Sequence, residues 1–293
     1  MPCYHPLKAY KDSAGGPITI GQGGRGSLPL SLPCGRCIGC RIKRVQDWTT
    51  RIQHEASLYD QNSFITLTYN DQALDQVGPS LIYDHFQKFI RELRRDQPVR
   101  FFCAGEYGGE TWRPHWHAIL FGVGFTDTYP VGKDLVASKR LEKIWPHGNH
   151  AIGEVNKSTI AYTASYCVKK ITGPKAEDHY TRLNPLTGEI HQLAPEMARM
   201  SLKPGIGARW YDKHKHDVHY ARDGVIQPGG FRTKPPRYYD QRLEKTDQRQ
   251  ALKITNERIK QAKTRSKDNT EQRLETKEKV AIANQSRKQR MKI

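Results

Sequence analysis

A run of ten residues, Arg113-Pro-His-Trp-His-Ala-Ile-Leu-Phe-Gly122, limits the folds open to this 293-residue chain more than any other segment. Its apolar block predicts a strand over His115–Phe121. Side chains two apart share a strand face, so His115 and His117 project together while Trp116 and Ala118 face the other way. Val99 to Tyr107 reads as the preceding strand, and Gly108-Gly109 begins the turn between them. A short hairpin would set Glu106, nine residues upstream, opposite His115. Two imidazoles and a carboxylate are a three-ligand set for a divalent ion, with positions left for a phosphate oxygen and water. The same three residues also suit a metal-free cross-strand His/Glu pair. With twelve His in the chain, a His-x-His spacing carries little alone. The second such pair, in Lys213-His-Lys-His-Asp217, has charged neighbours and no apolar strand, and reads as a solvated loop.

The surrounding pattern is an alternation of helices and strands. Arg41 to Asp60 has helical periodicity through Ile42, Val45, Trp48, Ile52, Ala56 and Tyr59. Phe64-Ile-Thr-Leu-Thr-Tyr69 reads as a strand ended by Asn70-Asp71. Ser80 is expected to cap a helix running to about Arg95. A helix over Lys139–Trp145 leads to a strand near Ala151–Val155, and Ser158 is expected to cap a helix through Lys170. This order predicts an α+β fold, an antiparallel sheet with helices packed on it. From Gly173 the chain reads as loops, with Pro at 174, 185, 195, 204, 228, 235 and 236. Residues 241–293 contain no Gly, Pro or aromatic residue and predict a basic tail, helical or disordered, whose apolar positions are too sparse for a core face.

Charge narrows the partners. Forty-eight Lys and Arg against thirty Asp and Glu leave +18, half of it in the tail. Mean hydropathy is -0.78. Such a surplus favours nucleic acid or an anionic surface. No apolar run is long enough for a membrane span and no signal segment opens the chain, so DNA or RNA in a cytoplasm is the better reading. The cysteines are clustered: Cys34, Cys37 and Cys40 form CxxCxxC, with Cys3 upstream. In a reducing compartment this spacing suggests metal ligation, with Cys3 or His5 as a fourth ligand. Zinc, an iron–sulfur cluster and unligated thiols are the alternatives. Cys103 and Cys167 sit in apolar stretches and read as core.

Thr159-Ile-Ala-Tyr-Thr-Ala-Ser-Tyr-Cys-Val-Lys-Lys170 places Tyr162 and Tyr166 four apart, on one helix face, with Lys169 on the same face. Two such tyrosines are either a packed aromatic stripe or a pair of nucleophiles. A phenol with a pKa near 10 is a poor nucleophile at neutral pH, and a nearby ammonium lowers the barrier.

Together FITLTY, GEYG followed by RPHWHAILF, and YTASYCVKK resemble the HUH endonuclease superfamily, in the order found in the replication initiators of the microviruses. PCGRCIGCR, GIGARW and PPRYYD are similar to the gokushovirus branch of that group. The resemblance covers most of residues 34 to 240. It implies an RRM/ferredoxin-like nickase core, a Mg²⁺ or Mn²⁺ ion held by Glu106, His115 and His117, and Tyr166 and Tyr162 as nucleophiles assisted by Lys169. Lys170 and Arg113 are expected to contact DNA. The familiar pattern often places Lys one residue before the second tyrosine; here that residue is Ser165. Only Tyr166 keeps a lysine three residues on, so Tyr166 is expected to cut first.

The activity so implied is nicking of the viral origin on the double-stranded replicative form, through a 5′-phosphotyrosyl link. A host polymerase extends the free 3′-hydroxyl, and rejoining yields a single-stranded circle. No GxxxxGK[ST] loop is present, so a host helicase is expected to act in trans. The location implied is the host bacterial cytoplasm. The expected organisation is a cysteine-containing segment (1–50) with a structural zinc, a nickase domain (51–175), a loop-rich extension (176–240) and the tail (241–293). A relaxase or single-strand transposase would use the same site, though a short element usually has one tyrosine. A non-catalytic packaging or regulatory DNA-binding protein would explain the charge but leave the His, Glu and Tyr residues without a role.

Overall fold

The computed structural model describes residues 3–12, 17–183 and 187–290. Residues 1–2 and 13–16 of the amino-terminal segment, Pro185 and its neighbours in the loop-rich region, and the last three tail residues lie outside the described ones. The chain forms two units: residues 45–239, and the two chain ends, 1–44 with 240–293. In the second of these, β1 (Leu7–Lys11), β2 (Ile18–Ile20) and β3 (Leu28–Leu32) form an antiparallel sheet in the order β2-β1-β3. Helix α1 (Ile38–Ala56) follows.

Residues 45–239 are built on β4 (Asn62–Tyr69), α2 (Asp71–Val77), α3 (Tyr83–Leu93), β5 (Arg100–Tyr107), β6 (Pro114–Phe121), β7 (Thr128–Pro130), β8 (Val136–Ser138), α4 (Lys139–Ile144) and β9 (Gly148–Gly153). There follow α5 (Lys157–Ser165), α6 (Lys175–Tyr180), β10 (Thr181–Leu183), β11 (Ile190–Gln192), β12 (Met197–Met200), α7 (Ala208–Lys215), β13 (Val225–Ile226) and β14 (Arg232–Thr233). The chain ends in α8 (Arg237–Thr246), α9 (Gln248–Thr264) and α10 (Glu271–Arg290). Seven strands make one antiparallel sheet in the order β12-β5-β6-β4-β9-β8-β7. The α+β expectation therefore holds, with helices on both faces of the sheet.

Alternation along the strands decides which helix each face receives. Ile65, Leu67, Phe101, Cys103, Trp116, Ala118 and Leu120 share a core with Phe86, Phe89, Ile90 and Leu93 of α3. Their neighbours Phe64, Phe102, Ile119 and Phe121 point the other way and pack with Ile52 of α1 and Ile160 and Ala164 of α5. Fully buried side chains such as Phe86, Ile65 and Leu67 each contribute on the order of 2 kcal/mol. Gly105 is glycine for a steric reason: a Cβ there would lie 2.7 Å from the ring of Trp116, its partner across β5 and β6.

Several local expectations are corrected. Ser80 caps no helix; its hydroxyl accepts from the Ala194 N–H at 2.9 Å, and α3 starts at Tyr83. Asn70 ends β4 as expected but also caps α2, which the turn residues concealed. The cap of α5 is Asn156, in a capping box with Thr159, and not Ser158. That helix stops at Ser165, and Tyr166–Val168 form a 3-10 turn in place of a helix to Lys170. The 213–217 segment is exposed as expected, apart from half-buried His214, but lies in α7 and the π-helical His216–Ala221, not in a loop. Within the proline-rich stretch, β12 adds an edge strand to the sheet that periodicity over four residues could not reveal. The tail spends its few apolar residues on packing: Leu243, Ala251 and Ile254 form a small cluster, and Leu274 is buried as well. Cys103 is fully buried and Cys167 packs at the edge of the α5 core.

Candidate active site

The hairpin of β5 and β6 sets Glu106 directly across from His115, and Ala104 across from His117. On the other side of β6, β4 brings Thr66 across from His117 and Thr68 across from His115. Glu106 Oε1 lies 2.9 Å from His115 Nε2 and 3.0 Å from His117 Nε2. The three ligand atoms fall within 4.8 Å of one another. The other ring nitrogens are held: His115 Nδ1–H donates to the Arg113 carbonyl oxygen at 3.0 Å, and His117 Nδ1 is 3.0 Å from Thr66 Oγ1. Both Nε2 atoms are thereby turned toward the carboxylate, the arrangement that orients imidazoles for a metal. Thr66 was not picked out from the sequence. Its signal was the polar position in an otherwise apolar strand.

Helix α5 and the turn after it cover this triad. The Tyr162 hydroxyl is 3.3 Å from His117 Nε2. The Tyr166 ring stacks on His117 with centroids 5.3 Å apart and planes 10° apart, and meets Tyr162 edge-on at 5.0 Å. Lys169 Nζ donates to Glu106 Oε2 at 2.7 Å and sits 4.1 Å from the centroid of the Tyr166 ring. All six expected side chains thus meet in one place, although Tyr166 lies beyond the α-helical turns and not within them. The tyrosines differ in access: Tyr162 is 37% exposed and Tyr166 only 3%.

Burial alone would raise the Glu106 carboxyl, but hydrogen bonds from His115, His117, Lys169 and Tyr166 hold it well below the usual carboxylate range. It is an anion facing two imidazoles, a donor set suited to a hard or borderline divalent ion. Burial lowers the His117 imidazole, favouring the neutral ligand form. Burial and the neighbouring carboxylate raise the Tyr166 phenol, and burial also raises Tyr162. Neither phenol ionises readily in this environment.

Two further residues are expected to contact DNA. Arg113 donates to the Tyr69 carbonyl at 2.8 Å and pairs with the exposed Asp71. Lys170 is exposed beside the tyrosine turn. Among the described residues, one other group of side chains could hold a metal: Cys3, Cys34, Cys37 and Cys40, with ligand atoms within 4.8 Å. His5, the alternative fourth ligand, instead meets Glu278 at 2.6 Å. Burial would raise the Cys37 thiol, yet donors led by the Tyr4 N–H lower it to about 6. The His214/His216 pair joins no such group, and no described helix is long and apolar enough to cross a membrane.

Residues 62–171, from β4 to the end of the tyrosine turn, match the family model of replication-associated protein ORF2/G2P. The chain is 30% identical over 274 residues to replication-associated protein ORF2 of Spiroplasma virus 4, covering 84% of this chain and 81% of that protein. It is 29% identical over 255 residues to replication-associated protein VP4 of Bdellovibrio phage phiMH2K, covering 82% and 76% respectively. Similarity to replication-associated protein ORF4 of Chlamydia phage 1 spans 155 residues at 32% identity, 47% of this chain and 38% of that one. No solved structure matches the chain.

Proposed function

Because the chain belongs to the replication-associated protein ORF2/G2P family, homologous to replication proteins of gokushoviruses, we propose that it is the HUH nickase that starts rolling-circle replication of such a phage genome. The observation that carries this reading is the convergence of Glu106, His115 and His117 with the two tyrosines and Lys169. A non-catalytic DNA-binding protein has no use for that combination.

Glu106, His115 and His117 would hold Mg²⁺ or Mn²⁺, which supplies Lewis-acid polarisation of the scissile phosphate. The chain's own groups do the rest. A tyrosine Oη attacks phosphorus; the P–O bond to the 3′-oxygen breaks as the phenol gives up its proton and the 3′-hydroxyl gains one. The DNA 5′-phosphate remains esterified to tyrosine, so bond energy is kept and no nucleotide cofactor is needed. A host polymerase would extend the 3′-end on a template opened by a host helicase in the bacterial cytoplasm. The second tyrosine would cut the regenerated origin while the first is still occupied, and the released 3′-hydroxyl would close the single-stranded circle.

We assign the first cut to Tyr166, because it alone has a lysine three residues on, and the Lys169 ammonium lies against its ring. Accessibility favours the reverse order, since Tyr162 is the exposed ring. The test is covalent capture of an origin-bearing single strand by purified protein with Mn²⁺. Tyr166→Phe is expected to lose most of the adduct, Tyr162→Phe to keep it yet release no closed circles, and the double variant to bind without reacting. His115→Ala and His117→Ala should bind DNA and not nick it. Adduct from the double variant would reduce the tyrosines to an aromatic stripe. Normal nicking by either His variant in EDTA would remove the metal.

For the cysteine cluster we propose a structural zinc, four thiols being the donor set of a closed tetrahedral site. The nickase reading makes residues 51–175 the catalytic domain and 176–240 an extension of it.

A further inference from the structure

The four cysteines and the last helix of the chain meet within one unit. Three backbone N–H groups point at the sulfurs: Tyr4 N–H donates to Cys37 Sγ at 3.3 Å, Cys34 N–H to Cys3 Sγ at 3.2 Å and Cys37 N–H to Cys34 Sγ at 3.3 Å. A thiol is a weak acceptor and an anionic acceptor is a stronger one, so a loop that aims three amides at one cluster suits thiolates. Gly35 has φ +75°, the left-handed conformation that lets the Cys34–Cys37 turn close. Thiolates packed this closely repel unless a cation lies among them.

Helix α10 lies against this loop. Leu274 is 7% exposed and packs, with Ala281 two turns later, on a cluster containing Tyr4, Ile38 and all four cysteines. Between them Glu278 reaches His5 at 2.6 Å. Leu274, Glu278 and Ala281 stand at i, i+4 and i+7, so one stripe of the helix faces the cysteine loop. Val280 and Ile282, off that stripe, are 55% and 50% exposed. Among the described residues the buried part of this cluster is Tyr4, Cys37 and Leu274, too small a core to order the loop and a twenty-residue basic helix alone.

We infer that metal bound by Cys3, Cys34, Cys37 and Cys40 is the clasp that holds α10 in place, so that zinc occupancy sets how the basic carboxy-terminal helices engage DNA. This rests on the zinc assignment made above and adds its consequence. Zinc binding by a loop that cannot order itself is coupled to folding of that loop. The order extends through Leu274 to α10. Loss of the metal frees α10 and leaves the seven-stranded sheet unchanged.

The experiment uses the full-length protein. Zinc content is measured, and amide hydrogen exchange is followed in residues 271–287 and in β4–β6, before and after zinc chelation with Mg²⁺ restored. One zinc per chain is expected, with exchange in 271–287 rising at least tenfold on chelation, β4–β6 unchanged, and protection returning with added zinc. Leu274→Asp should release α10 while zinc stays bound, which separates the clasp from a general failure to fold. The salt slope of DNA binding should fall in both cases. Zinc present but α10 equally protected without it would overturn the clasp and leave the zinc site standing. Protein that neither contains nor binds zinc would overturn both.

Discussion

Thr66 shows how much of the candidate site rests on a residue that does no chemistry. Its hydroxyl is 3.0 Å from His117 Nδ1, so it fixes which nitrogen faces Glu106. Thr66→Val keeps the β-branched shape and removes the partner. Metal affinity should fall about 10- to 100-fold, read as a higher Mn²⁺ concentration for half-maximal nicking, with nicking rescued at saturating metal. Unchanged metal dependence would mean the ring is held by packing alone. His54 carries the clearest pH effect. Burial, with His214 nearby, lowers it to about 3 from an ordinary 6.5, and its ring is stacked on Trp210 at 3.4 Å with Nδ1 2.9 Å from the Tyr239 hydroxyl. The neutral form is favoured in the fold, so between those two values the unfolded chain binds more protons. Its stabilisation is full above 6.5 and is lost as pH falls toward 3. Melting temperature should therefore drop more steeply from pH 7 to 4 in the parent than in His54→Gln. Parallel curves would show that His54 protonates in the fold without penalty.

At the scale of elements, the β5–β6 hairpin delivers all three side chains of the Glu/His triad, and its register depends on Trp116 fitting over Gly105. Trp116 is fully buried and cannot retreat from an added methyl. Gly105→Ala should cost about 1–3 kcal/mol, measured as a lower urea midpoint, and should weaken metal binding because Glu106 is the next residue. A variant of parental stability would mean that the strand shifts without cost. The hairpin was legible in the sequence because apolar alternation, the Gly-Gly turn and the ligand spacing all agree. Helix α5 was legible in its body and misread at both ends. Asn156 and Ser158 are each acceptable caps, and only the Thr159 side chain returning to the Asn156 N–H chooses between them. The early end at Ser165 has the same character. A 3-10 turn over Tyr166–Val168 keeps both tyrosines on His117, an outcome of packing that propensity does not encode.

For the whole molecule, the dominant fact is charge carried on α9, α10 and the turn between them. Lys253, Lys260 and Lys263 of α9 and Lys267 of the turn are exposed, and each that neutralises a phosphate steepens the log–log salt dependence of DNA binding by about 0.7 to 0.9. Replacing all four with Gln should flatten the slope by about three units while nicking of a short origin strand at low salt is retained. A slope that does not move would leave these lysines a solvated face. The same tail illustrates a limit of pattern reading. Its apolar residues are sparse along the chain, yet Leu274 is buried with Tyr4 and Cys37, from the opposite end of the sequence.

What pattern and chemistry decided from the sequence were features of short range: an α+β chain, the His-x-His strand, the two tyrosines on one side of the site, the CxxCxxC run and the basic tail. The spacings among these are two to four residues, which backbone geometry converts directly into shared faces, and the tail's charge is plain composition. Folding decided the long-range choices. It set Cys3 and not His5 beside the other cysteines, made β12 an edge strand, joined Arg113 to Tyr69 and Asp71, and exposed Tyr162 while burying Tyr166. Those outcomes depend on which distant surfaces exclude water together, a property of the packed chain that no local spacing contains.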